Sequence, residues 1–234
     1  MTRLDKLIAD KLNTTRSEAK LLIKKGEVFV NSNAIFSPDF KCSEADEITV
    51  SGKKLSADKF VYIMMNKPKG FVCASEDRDE KTVVELLPDD MKIKNLFPAG
   101  RLDKDTTGFV LITNDGEFAH SILCPKKHVE KTYLALLDKP VECSVIKDFE
   151  SGMELGKEKL MPAKLSTENE EKTLAKIVIR QGIYHQIKRM FKKHGLEVLE
   201  LKRIKIGNLP LDKNLKEGES RYITQDELKL IKEV

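Results

Sequence analysis

The 234-residue sequence predicts an α+β protein with a small N-terminal domain, residues 1–58, and a larger domain, residues 59–234. Three observations lead to this prediction. Two helical patterns are followed by short alternating strands within the first 58 residues. Farther along the chain, strand-like runs outnumber helical ones, and the two kinds do not alternate strictly. That arrangement favours a mixed, largely antiparallel sheet in the larger domain.

The first domain begins with two helices. Leu4, Ile8 and Leu12 recur at helical spacing. Residues 15–18, Thr-Arg-Ser-Glu, match a capping box that opens a second helix, and Gly26 ends that helix. Short strands at residues 28–30 and 46–50 and a polar linker at residues 56–59 complete this domain.

The second domain begins with a strand that starts at Tyr62 and ends before Pro68 and Gly70. Further strands are predicted at residues 109–113, 132–137, 174–179, 198–201 and 203–206. Helices are predicted at residues 117–123, 141–150 and 185–194, and a last short helix is capped by Thr224 and Glu227.

One loop of the second domain carries a candidate catalytic residue. Residues 100–108, Gly-Arg-Leu-Asp-Lys-Asp-Thr-Thr-Gly, place Asp103 in a glycine-flanked turn just before the buried strand 109–113. Such a turn lies at the edge or end of a sheet, where catalytic side chains concentrate. Asp103 is therefore a candidate nucleophile, although an aspartate that only caps the turn fits the same local pattern.

Composition excludes several classes of protein. No apolar run approaches the roughly 20 residues of a membrane helix, and the N-terminus lacks the apolar stretch of a signal peptide, so we expect a cytoplasmic protein. The four cysteines and four histidines are too scattered for a zinc site or a disulfide framework. No glycine-rich nucleotide-binding motif is present. We therefore expect neither a metal nor a cofactor.

Basic charge is concentrated in one segment. Between residues 180 and 205 there are eight lysines and arginines against two glutamates, whereas the whole chain has a net charge of only +4. A solvated helix face is the ordinary explanation for such a run. A surface that contacts RNA phosphates is the functional one.

Three segments resemble the sequence motifs of pseudouridine synthases, in that family's order. They are the loop at residues 100–108, Glu-Lys-Thr-Tyr at residues 130–133, and Gly-Ile-Tyr-His-Gln-Ile-Lys-Arg-Met at residues 182–190. The resemblance implies that Asp103 is essential, acting as nucleophile or as a base at the ribose. It implies that Lys188 keeps this carboxylate ionised, and that Tyr133 stacks on the target base. A half-buried strand tyrosine with no such role is the alternative.

The resemblance also implies contacts with RNA, because the target uridine must be flipped out of a structured site before Asp103 can reach it. Arg101 would fill the vacated stack or grip a phosphate. His185, Gln186 and Arg189 lie in the third motif and would also contact RNA. For His185, capping the helix without touching RNA is an equal alternative.

The N-terminal domain resembles the S4 domain in several short segments. These segments are residues 3–7, Arg-Leu-Asp-Lys-Leu, residues 16–19, Arg-Ser-Glu-Ala, and residues 26–31, Gly-Glu-Val-Phe-Val-Asn. In that family the second helix and the following loop offer basic side chains to RNA phosphates. Here those side chains would be Arg3, Arg16, Lys20, Lys24 and Lys25.

An S4 domain joined to a Gly-Arg-Leu-Asp loop resembles the branch of the family that acts on ribosomal RNA. The third motif lacks the Asn-Arg-x-x-Arg-Arg pattern of large-subunit enzymes and looks like that of enzymes that make pseudouridine 516 of 16S rRNA. We therefore expect a monomer that acts on 16S rRNA in a small-subunit assembly intermediate. A 23S rRNA or tRNA uridine is the second expectation, and a non-catalytic S4 protein of ribosome assembly is the alternative from another class.

Overall fold

The computed structural model describes residues 1–12, 14–43, 45–55, 60–124 and 129–232. The chain divides into two compact units, the first made of Met1–Val61 with Pro88–Leu96 and the second of Tyr62–Leu87 with Phe97–Val234. The linker predicted at residues 56–59 lies outside the described residues. The domain boundary after residue 58 therefore stays a prediction.

The described residues of the first unit form two helices and six short strands, with a 3-10 turn at Asp89–Met91. The helices are α1 (Leu4–Lys11) and α2 (Arg16–Lys24). The strands are β1 (Thr2–Arg3), β2 (Val28–Val30), β3 (Asn33–Ala34), β4 (Lys41–Cys42), β5 (Ile48–Val50) and β6 (Lys53–Lys54).

The start of α2 confirms the predicted capping box. The Thr15 side chain accepts a hydrogen bond from the Glu18 backbone amide, and the Glu18 side chain accepts one from the Thr15 amide. The two helices bury Leu4, Ile8 and Ile23 against the inner residues of β2 and β5. Local capping and apolar spacing therefore explain the form of this unit.

The second unit holds the remaining elements. Its helices are α3 (Gly116–Leu123), α4 (Cys143–Ser151), α5 (Gln186–Lys193) and α6 (Gln225–Lys232). Its strands are β7 (Tyr62–Lys67), β8 (Phe97–Pro98), β9 (Thr107–Thr113), β10 (Lys131–Leu137), β11 (Glu154–Leu155), β12 (Glu158–Lys159), β13 (Lys164–Thr167), β14 (Leu174–Ile179), β15 (Val198–Ile206), β16 (Leu209–Pro210) and β17 (Ser220–Tyr222).

A nine-stranded sheet organises this unit. Seven strands follow the order β13-β14-β10-β15-β9-β7-β17, with β16 paired to β15 and β8 paired to β9. Among the described pairs of this sheet, β9 with β15 is the parallel one and the rest are antiparallel. The predicted mixed, largely antiparallel sheet is confirmed. No helix among the described residues is long and apolar enough to cross a membrane.

The centre of the sheet is buried on both faces. Every residue of β9 is buried, as are the last five of β7. On one face, Phe109 and Leu111 pack with Phe118 of α3 and Ile231 of α6 in a single apolar cluster. This packing holds the start of β9 firmly, and with it the end of the loop that carries Asp103.

Two local predictions differ from the structure. The two strands predicted at residues 198–201 and 203–206 form one strand, β15, which pairs with β10 across two register shifts. Gly108, predicted as the end of a turn, lies within β9.

Packing explains the glycine at position 108. The backbone φ of Gly108 is +100°, a value that favours glycine over other residues. A Cβ at Gly108 would lie 2.2 Å from the backbone oxygen of Arg203. The close approach of β9 to β15 therefore requires glycine here.

Candidate active site

Asp103 lies in the loop between β8 and β9. Its backbone oxygen accepts a hydrogen bond from the Thr106 amide at 3.0 Å, which closes a turn. Its carboxylate is 29% exposed and faces a cavity of about 650 Å³. The structure therefore places this carboxylate where a ligand in the cavity can reach it.

A buried lysine holds this loop from behind. Lys67, the last residue of β7, is fully buried, and its ammonium lies within 3.2 Å of four backbone oxygens. They belong to Pro68, Asp103, Lys104 and Thr106. Burial lowers the pKa of Lys67 from its ordinary value, although nearby acidic groups oppose the shift. Sequence reasoning did not single out Lys67. A lysine at the end of an otherwise apolar strand was the signal that could have identified it.

Two side chains from the third motif approach Asp103. His185 Nε2 lies 3.5 Å from Asp103 Oδ1, and Lys188 Nζ lies 3.5 Å from Asp103 Oδ2. The predicted proximity of Lys188 to Asp103 is therefore observed, at ion-pair distance. The role predicted for Lys188 remains a prediction.

Lys188 has a second and closer acidic partner, Asp105. Its ammonium donates to both Asp105 carboxylate oxygens, at 2.6 and 2.7 Å. Burial would raise the pKa of Asp105, but the hydrogen bond and the charge of Lys188 outweigh it and hold the pKa below its ordinary value. Sequence reasoning did not single out Asp105, although it lies two residues after Asp103.

His185 has an unusual backbone conformation. It precedes α5 as its N-cap residue with φ +49° and ψ +33°, in the left-handed region, and its side chain makes no capping hydrogen bond. The ring instead stacks on Tyr184, with centroids 3.8 Å apart and planes 17° from parallel. His185 therefore occupies the N-cap position, but its side chain does not cap the helix. Contact between His185 and RNA remains a prediction.

Gln186 and Arg189 are the two further candidates of the third motif and lie in α5. Gln186 is 4% exposed, and its side-chain oxygen accepts a hydrogen bond from the Ile183 amide at 3.3 Å. Arg189 donates to the backbone oxygen of Tyr184 at 3.1 Å and pairs with Glu158 at 2.6 Å. Both side chains therefore already have partners in the protein, and contact with RNA remains a prediction for each.

Tyr133 lies on β10 and lines the cavity that contains Asp103. It is 7% exposed, and its hydroxyl accepts a hydrogen bond from Arg203 Nη1 at 3.4 Å. Arg203 is its cross-strand partner on β15 and also donates to the Phe109 oxygen at 2.6 Å. One buried guanidinium thus links the tyrosine to the strand that follows the Asp103 loop. Sequence reasoning counted Arg203 only among the basic residues between positions 180 and 205 and gave it no role at the site.

The remaining RNA-binding candidates lie on surfaces. Arg101 is exposed and lines the cavity beside Asp103. In the first unit, Arg16, Lys20 and Lys24 are exposed at four-residue spacing along α2, which places them on one side of the helix.

Two further basic candidates belong to the first unit. Lys25 is exposed at the end of α2. Arg3 is half-exposed and donates two hydrogen bonds to the Asp5 carboxylate, at 3.1 and 3.0 Å. Arg3 therefore already has an acidic partner within the protein.

No group of three or more His, Cys, Asp or Glu side chains in the described ranges is arranged to hold a metal ion. Within those ranges, the carboxylates of Asp103 and Asp105 instead lie beside the ammonium of Lys188. The cavity is lined by the Asp103 loop, by β10 and by the segment that leads into α5. All three predicted motifs therefore meet at one site.

Two family profiles match the chain. That of RNA pseudouridylate synthases matches residues 61–193, and that of the S4 domain matches residues 2–48. The first range includes the Asp103 loop, β10 and α5. The second covers α1, α2 and the strands up to the start of β5.

Full-length relatives and a solved structure resemble the chain. An uncharacterized RNA pseudouridine synthase of Bacillus subtilis is 43% identical over 238 residues, covering 99% of this chain and 98% of that protein. Ribosomal small subunit pseudouridine synthase A of Vibrio cholerae is 42% identical over 228 residues, covering 97% of each. A crystal structure of a pseudouridylate synthase superposes with a TM-score of 0.68 at 40% identity, covering 99% of this chain and 100% of that one.

Proposed function

The chain belongs to the RNA pseudouridylate synthase family and carries an S4 domain, and we propose that it converts one uridine of small-subunit ribosomal RNA to pseudouridine. Full-length similarity to a protein named ribosomal small subunit pseudouridine synthase A supports this substrate. We further propose uridine 516 of 16S rRNA as the target, on the resemblance of the third motif.

The observation that carries the proposal is the position of the Asp103 carboxylate. It faces a cavity large enough for a nucleoside, between His185 and Lys188 and on the same cavity as Tyr133. The Lys188 ammonium lies 3.5 Å from this carboxylate and supplies a positive charge beside it. Such a carboxylate is suited to act on the ribose of a uridine that has been flipped into the cavity.

The reaction rearranges one nucleotide. The bond between N1 of uracil and C1′ of ribose breaks, the detached base turns, and C5 bonds to C1′. The proton on C5 is lost and N1 gains one, so substrate and product are isomers and no electrons are gained or lost. Asp103 serves either as a nucleophile at C1′ or as a base at the ribose, and its position suits both.

The other side chains support this step. Lys188 offers a positive charge to the Asp103 carboxylate, and Tyr133 stacks on the flipped uracil and assists removal of the C5 proton. Arg101, exposed at the edge of the cavity, replaces the flipped base in its stack or holds a phosphate. The exposed basic side of α2 contributes phosphate contacts away from the chemistry.

We propose that the protein acts in the cytoplasm as a monomer on a small-subunit assembly intermediate. The test compares Asp103→Asn with Asp79→Asn, which changes an exposed aspartate that does not line the cavity. Each purified protein is incubated with 16S rRNA, with and without bound ribosomal proteins. Pseudouridine is then quantified by mass spectrometry and its position is mapped.

Asp103→Asn should form no pseudouridine while keeping its fold and RNA affinity, because the amide has the shape of the carboxylate without its charge. Asp79→Asn should behave as the unaltered protein. Turnover by Asp103→Asn would contradict the mechanism. Modification of 23S rRNA or tRNA with 16S rRNA untouched would instead move the substrate to the second expectation.

A further inference from the structure

Tyr184 is the most exposed aromatic side chain among the described residues. Its exposed fraction is 73%, whereas Phe36 and Tyr222 reach 62% and 47%. Exposure of an aromatic ring to this degree leaves its apolar surface in water. Tyr184 also lines the cavity that contains Asp103. An exposed ring at this cavity calls for a functional explanation more strongly than an exposed ring elsewhere on the surface does.

The ring is held in place rather than free to reorient. One side stacks on His185 at a centroid distance of 3.8 Å. The backbone oxygen of Tyr184 accepts from Arg189, which is itself fixed by Glu158. Just before it, the Ile183 amide is bound by the side chain of the following helix residue, Gln186. The loop therefore presents a preorganised aromatic face.

The Tyr184 ring is linked to the Asp103 carboxylate through His185. His185, on which Tyr184 stacks, has its Nε2 atom 3.5 Å from Asp103. His185 adopts the left-handed conformation, which costs free energy for a residue other than glycine. This strained turn places the His185 ring beside the carboxylate, with the Tyr184 ring stacked on it. Stacked rings next to a carboxylate form a platform that can accept one more flat group.

We propose that Tyr184 is a stacking site for an unpaired base that neighbours the target uridine in the RNA. The proposal deepens the proposed function and rests on its RNA substrate. Aromatic side chains recognise unstacked bases in this way. Tyr133, at 7% exposure, lies too deep to serve any base except the flipped one. Tyr184 is too exposed to enclose that base and suits a neighbour.

A fluorescence experiment tests the site directly, because the chain contains no tryptophan. Tyr184→Trp introduces a single reporter that keeps an aromatic face. Tyr222→Trp is the matched control, since it changes another exposed tyrosine that does not line the cavity. Each variant is titrated with transcribed 16S rRNA and, separately, with fully duplex RNA at equal phosphate concentration.

Tyr184→Trp should show a saturable loss of fluorescence with 16S rRNA and much less with duplex RNA, whose bases are already stacked. Tyr222→Trp should show neither. Equal quenching of the two variants, or no quenching of Tyr184→Trp while RNA binds, overturns the proposal. Quenching by ribosomal proteins in the absence of RNA also overturns it, since the partner would then be a protein.

Steady-state kinetics separate stacking on RNA from a role through His185. Tyr184→Leu should raise KM for 16S rRNA roughly tenfold while kcat changes little, and Tyr184→Phe should restore KM. A fall in kcat with unchanged KM would mean that Tyr184 only orients His185, and would refute the stacking site. If the unaltered protein fails to modify 16S rRNA, the proposed function fails, and the fluorescence titrations still decide the role of Tyr184.

Discussion

Lys188 donates hydrogen bonds to both carboxylate oxygens of Asp105, at 2.6 and 2.7 Å. The same ammonium lies 3.5 Å from Asp103, so one cation is shared by two carboxylates. The closer partner is the more exposed one, with 68% of the Asp105 side chain accessible against 29% for Asp103. Asp105 therefore fixes where the charge of Lys188 sits, and Asp103 receives that charge at longer range.

This sharing gives a prediction that separates two variants. Lys188→Met should lower turnover at neutral pH on the order of 100-fold, because Asp103 loses the cation beside it. Asp105→Asn should not lower turnover, because Lys188 keeps its charge and then has one acidic partner fewer. Rates measured at saturating 16S rRNA check both variants.

The two variants should also keep their fold, because Lys188 lines the cavity and the Asp105 side chain is largely exposed. Circular dichroism and thermal unfolding provide that control. A turnover of Lys188→Met equal to that of the unaltered protein would identify Lys188 as a partner of Asp105 alone.

Lys67 should be required for the shape of the Asp103 loop. Lys67→Met removes the ammonium that four backbone oxygens share, so we expect a loss of unfolding free energy on the order of 3 kcal/mol and faster amide exchange at residues 100–106. Activity should fall with it. Lys69→Met is the matched control, since Lys69 is exposed and pairs with Glu200 at the surface. Equal loss of stability in the two variants would contradict this role.

Lys131 predicts a pH dependence of stability. It is buried on β10, and burial, aided by the charge of Arg203, lowers its pKa from 10.5 to about 8. The folded state therefore binds fewer protons than the unfolded state between pH 8 and 10.5, so the free energy of unfolding contributed by this group rises with pH across that window. Below pH 8 the protein carries the full cost of a buried ammonium.

Replacement of this lysine tests the sign. Lys131→Met should raise the free energy of unfolding at pH 7 by on the order of 2 kcal/mol and remove the rise between pH 8 and 10.5. Lys229→Met, at an exposed lysine of α6, should change neither quantity. Denaturant unfolding at several pH values measures both. A rise that persists in Lys131→Met would assign the pH dependence to another group.

The exposed basic side of α2 should contribute affinity and not chemistry. Combined replacement of Arg16, Lys20 and Lys24 by alanine should reduce the slope of log affinity against log salt by about 2 to 3, with kcat for 16S rRNA preserved. Replacement of the exposed lysines Lys213, Lys216 and Lys229 removes the same charge elsewhere and should not have this effect on the slope. Equal slopes for the two triple variants would argue against phosphate contacts on α2.

Local sequence was sufficient for most of the elements. The capping box at Thr15 and Glu18, the strand at Leu174–Ile179 and the helix after His185 follow from patterns that span only a few residues. Periodicity and capping act within one or two turns of chain, so the sequence contains all that is needed to recognise them. The three motifs were likewise recognisable as contiguous segments.

Contacts between distant strands needed the tertiary structure. The sequence by itself determined the helices, most of the longer strands, the family resemblance and Asp103 as a candidate. Only the fold revealed that Lys67 holds the Asp103 loop, that Arg203 faces Tyr133, and that Asp105 is the closer partner of Lys188. These pairs are separated by 36, 70 and 83 residues. Whether such side chains meet depends on strand order and register, which short-range patterns do not encode.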